Sequence, residues 1–171
     1  MKKLILLGLI AVFMACQPGP PRYTNSSAEI DTFKAHINDY NEGNWESWLS
    51  HYADTAKVSH NTTEESSPKE ALEGMKTNLE ATSSYGFLDK DIFYEMVIDD
   101  KNEKWVNFWG TWEGTLAANS KKLTITVHVT AQFVGNKIVE EHAYYDLSQF
   151  VTAMQEIEAA KMAEEAMSDE E

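Results

Sequence analysis

Between Leu123 and Phe133 the chain alternates without a break. Leu123, Ile125, Val127, Val129, Ala131 and Phe133 share one phase, and Thr124, Thr126, His128, Thr130 and Gln132 share the other. Side chains on a strand alternate between faces, so this pattern predicts a strand with one buried and one outward face, as in an antiparallel sheet covered on one side. Gly135-Asn136 follows as a hairpin turn, and Lys137 to Asp146 is predicted to return beside it. Upstream, Asp91–Ile98 and the aromatic run Trp105–Leu116 read as two more strands joined by a turn at Asp99–Glu103. Gly110 and Gly114 mark bulges or points of close approach.

The first half has a different period. Ile30, Phe33, Ile37 and Tyr40 recur at helical spacing, with Ser26 or Ser27 as cap and Gly43 as stop. Trp45, Trp48, Leu49 and Tyr52 form a second, short apolar stripe, and Ala56–His60 reads as a brief strand. After a polar loop, Pro68 opens a third helix running to about Ala81, with Ala71, Leu72, Met75 and Leu79 on one side. Leu147 to Met167 is helical by propensity, with an acidic end. Helices gathered before an antiparallel meander predict an α+β fold. In it, a curved, cone-shaped antiparallel sheet packs against three N-terminal helices, with a C-terminal helix added. A sheet bent over helices leaves a cavity between them.

The N-terminus reads as an address. Lys2 and Lys3 precede an apolar run from Leu4 to Met14, too short to span a bilayer as a mature helix, and the small Ala15 precedes Cys16, the sole cysteine. Phe13-Met14-Ala15-Cys16 resembles the lipobox of bacterial lipoproteins. That resemblance implies a signal peptide over 1–15, cleavage before Cys16, acylation of Cys16, and a location at the cell envelope with the membrane reached only through the lipid. Residues 16–27, with Pro18, Pro20 and Pro21, read as the lipidated start and a stiff tether. A pocket domain over 28–150 and an acidic helix or tail over 151–171 complete the expected organisation.

Charge narrows the function. The formal net charge is −14, and loss of Lys2 and Lys3 would leave 12 basic against 28 acidic residues. The one arginine, Arg22, lies outside the predicted pocket domain, so a phosphate-tracking groove has no basis and nucleic acid is not an expected partner. A single cysteine allows no intramolecular disulfide and no thiolate zinc site.

Three stretches together resemble the nuclear transport factor 2-like superfamily, and within it the SnoaL-like group: Tyr40-Asn41-Glu42-Gly43-Asn44-Trp45 through Tyr52-Ala53-Asp54, then Ser67-Pro68-Lys69-Glu70-Ala71-Leu72, then Phe133 to Asp146. The resemblance covers Glu29 to Phe150. The superfamily holds isomerases, dehydratases, cyclases, epoxide hydrolases and binding modules, so it implies a pocketed fold before it implies a reaction.

Position by position, it also points to residues. Where ketosteroid isomerases of the superfamily keep an oxyanion-stabilising tyrosine, this chain has His36. Where they keep a proton-shuttling carboxylate it has His60, and in place of a late-strand acid it has Val129. The histidine and aspartate associated with SnoaL-like cyclases fall on Val129 and Ala143. His128 and His142 keep the spacing but sit one residue out of register, on the opposite face. Imidazole exchanges protons near neutral pH, so His36 and His60 are the candidate acid–base pair.

Glu141 shares the predicted inward phase with Val139, Ala143 and Tyr145. It is a third catalytic candidate if buried with a raised pKa, but is expected at a solvated rim. Phe33, Tyr40, Phe108, Trp112, Val129, Ala143 and Tyr145 are the expected ligand-contacting wall. Trp105 and Trp109, in the other phase, belong on the outer face with His128 and His142, a face on which the resemblance implies homodimer pairing. His51 is expected at the surface. No His-x-x-x-His or carboxylate–His spacing points to a metal.

Three readings follow. The first is a cell-envelope lipoprotein whose pocket binds a small, largely apolar ligand. The second is an isomerase, dehydratase or cyclase, without metal or organic cofactor, using His36 and His60. The third is a dimeric assembly domain with a vestigial pocket.

Overall fold

The computed structural model describes residues 21–168. The expected signal peptide, Cys16 and the first part of the tether lie outside them. Within the tether the chain already pairs, with strand β1 at Tyr23–Thr24. Helix α1 (Ala28–Glu42), helix α2 (Trp45–Ser50), strand β2 (Tyr52–His60) and helix α3 (Pro68–Leu79) follow. Strands β3 (Thr82–Phe87), β4 (Phe93–Ile98), β5 (Lys104–Leu116), β6 (Lys122–Val134) and β7 (Lys137–Tyr145) come next, and helix α4 (Ser148–Ser168) ends the described chain. Among the described residues no helix is long and apolar enough to cross a membrane.

Local chemistry sets the helix ends. The Ser27 hydroxyl accepts from the Ile30 amide at 3.2 Å to start α1. Gly43, at φ 69°, turns the chain out of it while the Asn44 amide reaches back to the Asp39 carbonyl at 2.8 Å. Ser67 and Glu70 form a reciprocal capping box around Pro68 at the start of α3.

The seven strands form one sheet in the order β1-β4-β5-β6-β7-β2, with β3 also on β5. Along one edge the 13-residue β5 carries two partners, β4 on Lys104–Trp109 and β3 on Trp112–Leu116, while β6 pairs along its other edge. Strand β3 was not expected, because Thr82-Ser83-Ser84 carries no strand pattern. All pairings are antiparallel except β2 with β7, which is parallel. That pairing brings the early strand beside the last one. Asn61 fixes it, its side chain donating to the Tyr145 carbonyl at 2.8 Å and accepting the Tyr145 amide at 3.0 Å.

The inner face of the sheet packs on α1. Ile30 and Phe33 are fully buried against Val106, Phe108, Ala131, Phe133 and Ile138, and each Val, Ile or Phe side chain among them contributes about 1.5–3 kcal/mol by leaving water. A second cluster joins Trp112, Leu116, Leu123 and Ile125 to Phe150, Ala153, Met154 and Ile157 of α4. The expected domain edge at residue 150 therefore falls inside a helix that helps to build the core.

On β5 the two inward glycines have one use. The ring of Phe108 lies across Gly110 and that of Trp112 across Gly114; a Cβ there would stand 2.4 and 2.1 Å from ring carbons. The outer face is aromatic as expected. Trp109 stacks on His128 at 4.7 Å, His128 on Tyr144 at 6.1 Å, and Trp105 on His142 at 6.3 Å.

Candidate functional site

A cavity of about 130 Å³ lies between the sheet and the helices. Helix α1 supplies Phe33, His36, Ile37 and Tyr40, and α2 supplies Trp48. Strand β2 supplies His60, β3 Phe87, β5 Trp112, β6 Ile125, Val127 and Val129, and β7 Glu141, Ala143 and Tyr145. Met75, Asn78 and Leu79 of α3 and Leu147 and Phe150 at the start of α4 complete the wall. Among the described residues the wall holds no lysine and no arginine.

His36, His60 and Glu141, the three residues singled out for proton transfer, meet at this cavity. Glu141 is not at a solvated rim: it is 3% exposed, as is His36. A register shift between Gln132 and Phe133 of β6 resets the phase of β7. Ile138 turns inward opposite Phe133, and Glu141 comes inward opposite Ala131.

The carboxylate is held by donors on both oxygens. His60 Nε2 donates to Oε1 at 3.0 Å and the Tyr52 hydroxyl donates to Oε2 at 2.9 Å. His36 Nε2 lies 3.3 Å from the Tyr52 oxygen and 3.6 Å from Oε2. The Tyr52 proton goes to Glu141, so the Tyr52 oxygen is left to accept from His36. His36 and His60 thus both carry a proton on Nε2 when neutral, which leaves Nδ1 of each as an acceptor.

The electrostatics reverse the sequence expectation for Glu141. Burial pushes its pKa up, but the hydrogen bonds of His36 and His60, with the positive charge these rings carry when protonated, outweigh burial and hold the carboxyl well below the usual range. It is a carboxylate and not a general acid. Burial, reinforced by the Glu141 charge, pushes the Tyr52 hydroxyl far above its usual range and keeps it a donor.

The aromatic wall is ordered by further contacts. The Trp112 indole N–H donates to the Tyr40 oxygen at 3.0 Å, while the His36 ring stacks on Trp48 at 4.7 Å and packs on Phe33 at 5.4 Å.

Of the expected ligand-contacting residues, Phe33, Tyr40, Trp112, Val129, Ala143 and Tyr145 line the cavity. Phe108 does not; it is fully buried behind the wall, edge-on to Phe87 at 5.0 Å. His51 is not a surface residue. It is mostly buried, bonded through Nε2 to Asp39 at 2.7 Å, with its ring edge-on to His36 at 5.5 Å. Burial, with the charges of His36 and Lys137, lowers the His51 pKa further than Asp39 raises it. Tyr52 is the residue that sequence reading missed. It fits the apolar stripe of α2, yet the chain turns extended there and places it in β2. Its own spacing gives no sign of this, since the signal lies in the partner strand β7.

The sequence matches no protein-family model and no curated protein. Solved structures do match in shape. One is a nuclear transport factor 2-like protein of unknown function from Burkholderia pseudomallei, at 10% identity and TM-score 0.59, with 74% of this chain and 97% of that one covered. Another is a protein with a ketosteroid isomerase-like fold from Catenulispora acidiphila in complex with trimethylamine, at 13% identity and TM-score 0.53, covering 68% and 86%.

The fold is nuclear transport factor 2-like.

A candidate SnoaL-like polyketide cyclase from Shewanella denitrificans is also similar, at 12% identity and TM-score 0.57, covering 77% of this chain and 99% of that one. At these identities the likeness establishes the nuclear transport factor 2-like architecture and leaves the chemistry to the residues of the cavity.

Proposed function

We propose that this domain takes up one small, mostly apolar molecule and that His60, oriented by Glu141, exchanges a proton with it. The observation that carries this reading is the 3.0 Å bond from His60 Nε2 to a buried, ionised Glu141. A carboxylate on one imidazole nitrogen fixes the tautomer, aims the other nitrogen, and stabilises the imidazolium that forms when that nitrogen takes a proton. Size limits the ligand. An engineered apolar cavity of about 150 Å³ holds benzene, so about 130 Å³ suits a single ring or an equivalent chain.

The test uses cyclohexanone in deuterated buffer, with loss of its α-hydrogen NMR signal as readout. Exchange faster than in protein-free buffer, abolished in His60→Asn, is the expected result. Equal rates for wild type and variant would end the proton-transfer reading.

A binding function without turnover is the second reading. The wall favours it, because Val129 and Ala143 put apolar side chains at positions where catalytic members of this superfamily keep reactive ones. Two neighbours of like fold were crystallised with small molecules, trimethylamine and polyporic acid, which supports a small-molecule role of either kind.

Two further proposals concern the setting. Cys16 is acylated and tethers the domain to the cell envelope; its support is a sole cysteine directly after Ala15 at the end of an apolar run. Uptake of an alkyne fatty acid that disappears in Cys16→Ser is the expected result, and label retained by the variant would refute it. The outer sheet face pairs two copies; its support is the exposed Phe93, Trp109 and Tyr144.

A further inference from the structure

We propose that Trp112 fixes the length of ligand this cavity accepts, limiting it to a single ring, and that Gly114 and Tyr40 position the indole for that task. This rests on the reading of the cavity as a small-molecule site and adds the rule by which the site selects.

The sheet register gives the cavity its long axis. At one end His60 pairs with Ala143, and Ala143 with Val129. At the other end Trp112 pairs with Ile125, four residues from Val129 along β6. The two levels lie about 13 Å apart along the strands, before the side chains of either level take their share. Tyr145, opposite Val127, stands between them.

Trp112 closes its end. Leu116, Leu123 and Ala153 share its buried cluster, yet none of the three lines the cavity. The indole, with Ile125 beside it, therefore separates them from the open space. A second fused ring on the ligand would have to occupy the volume that the indole fills.

Two neighbours keep the indole in place. The ring lies across Gly114, where a Cβ would stand 2.1 Å from a ring carbon, so a side chain at that position would lift it. Its one polar hydrogen goes to the Tyr40 hydroxyl at 3.0 Å. Tyr40 is in turn packed on Phe87 at 5.5 Å and Tyr85 at 5.6 Å. With its N–H committed, the indole meets a ligand only as an apolar surface.

The experiment compares two ketones that differ by one fused saturated ring, cyclohexanone and 2-decalone. Dissociation constants come from NMR titration of wild type, Trp112→Leu, Tyr40→Phe and Gly114→Ala, each checked for folding by urea denaturation. The ratio of the two constants is the main readout, because a loosened fold weakens both ligands together. Wild type is expected to prefer cyclohexanone by about tenfold or more. Trp112→Leu opens apolar space towards Leu116 and Leu123, and such space takes up apolar groups. There 2-decalone should gain about tenfold or more from the surface its second ring buries. Tyr40→Phe frees the indole and should narrow the ratio without reversing it. Gly114→Ala lifts the indole towards the free space and should weaken cyclohexanone about tenfold, although Gly114 does not line the cavity.

A wild type that binds 2-decalone as tightly as cyclohexanone, or a folded Trp112→Leu in which 2-decalone gains nothing, would overturn the inference and leave the small-molecule reading standing. If Trp112→Leu does not fold, Gly114→Ala decides, and an unchanged affinity for cyclohexanone would overturn it. A wild-type ratio in Tyr40→Phe would remove Tyr40 from the positioning role. Binding of neither ketone by any of the four proteins would remove the small-molecule site and this inference with it.

Discussion

Tyr52 and Glu141 lie 89 positions apart, and their side chains share a 2.9 Å hydrogen bond because β2 runs parallel to β7. A phenol at the start of one strand and a carboxylate inside another thus close a buried cluster with His36 and His60. Removing the hydroxyl takes away a hydrogen bond to a charged group. Tyr52→Phe is expected to lower stability by about 1.5–3 kcal/mol. Glu141→Ala, which strands the donors of Tyr52 and His60, is expected to cost more, roughly 3 kcal/mol or above. Urea denaturation of the two variants beside wild type checks the order; an equal or reversed cost would show that the cluster does not hold the fold.

The same cluster sets the pH dependence. An unfolded glutamate titrates near 4.5, and folded Glu141 lies below that value. Its contribution is therefore whole above the unfolded value and is lost as pH falls towards the folded one. On the alkaline side, Tyr52 is raised above its ordinary value of 10. Its contribution is whole below 10 and is lost as pH rises through the folded value. Urea midpoints followed from pH 7 down to 3 should drop for wild type. The Glu141→Gln protein should start lower and show a shallower acid limb. Parallel acid limbs would place the acid sensitivity elsewhere.

Gly114 is a sharper structural test than any cavity residue. A methyl group there meets the Trp112 ring at 2.1 Å, so the indole has to move and its bond to Tyr40 lengthens or breaks. Gly114→Ala is expected to cost about 1–3 kcal/mol and to change the tryptophan fluorescence. The mirror change at exposed Gly135 has free space but a φ of 59°, so any loss there would come from the backbone. Gly114→Ala with wild-type stability and fluorescence would show that the ring has somewhere else to go.

The outer face gives a prediction about assembly. Trp109 is 38% exposed and Tyr144 is 54% exposed, on a stack shared with His128. If two copies pair there, sedimentation should give a dimer at micromolar concentration that Trp109→Glu converts to monomer without unfolding. A monomeric wild type would remove that pairing, and the cavity proposals would be untouched.

Much of this architecture was legible from periodicity. The alternation of β6, the hairpin at Gly135 and the α1 stripe of Ile30, Phe33 and Ile37 each report a local rule about which face is buried. The location of Trp109 and His128 on the outer face followed from the same phase. What was illegible depends on contacts far along the chain. Val139 takes the inward phase on a regular strand, yet the register shift hands that place to Ile138. Tyr52 belongs to a helical stripe until a strand 86 residues later, from Ile138, pairs with it. Glu141 had the right face and the wrong environment, because sequence spacing cannot count the donors that converge on a carboxylate. Phe108 failed for a plainer reason: an inward phase says that a ring is buried, and not whether it stands in front of the wall or behind it.

The parallel joining of β2 to β7 also has a consequence for synthesis. His36 and His60 emerge from the ribosome long before Glu141, and β2 has no sheet neighbour until β7 arrives. The nascent domain must hold its early helices and an unpaired strand open until nearly all of its sheet has been translated. A protein of this design should lean on a holding chaperone during that interval, and a message cut short before β7 should yield an aggregate and not a smaller working domain.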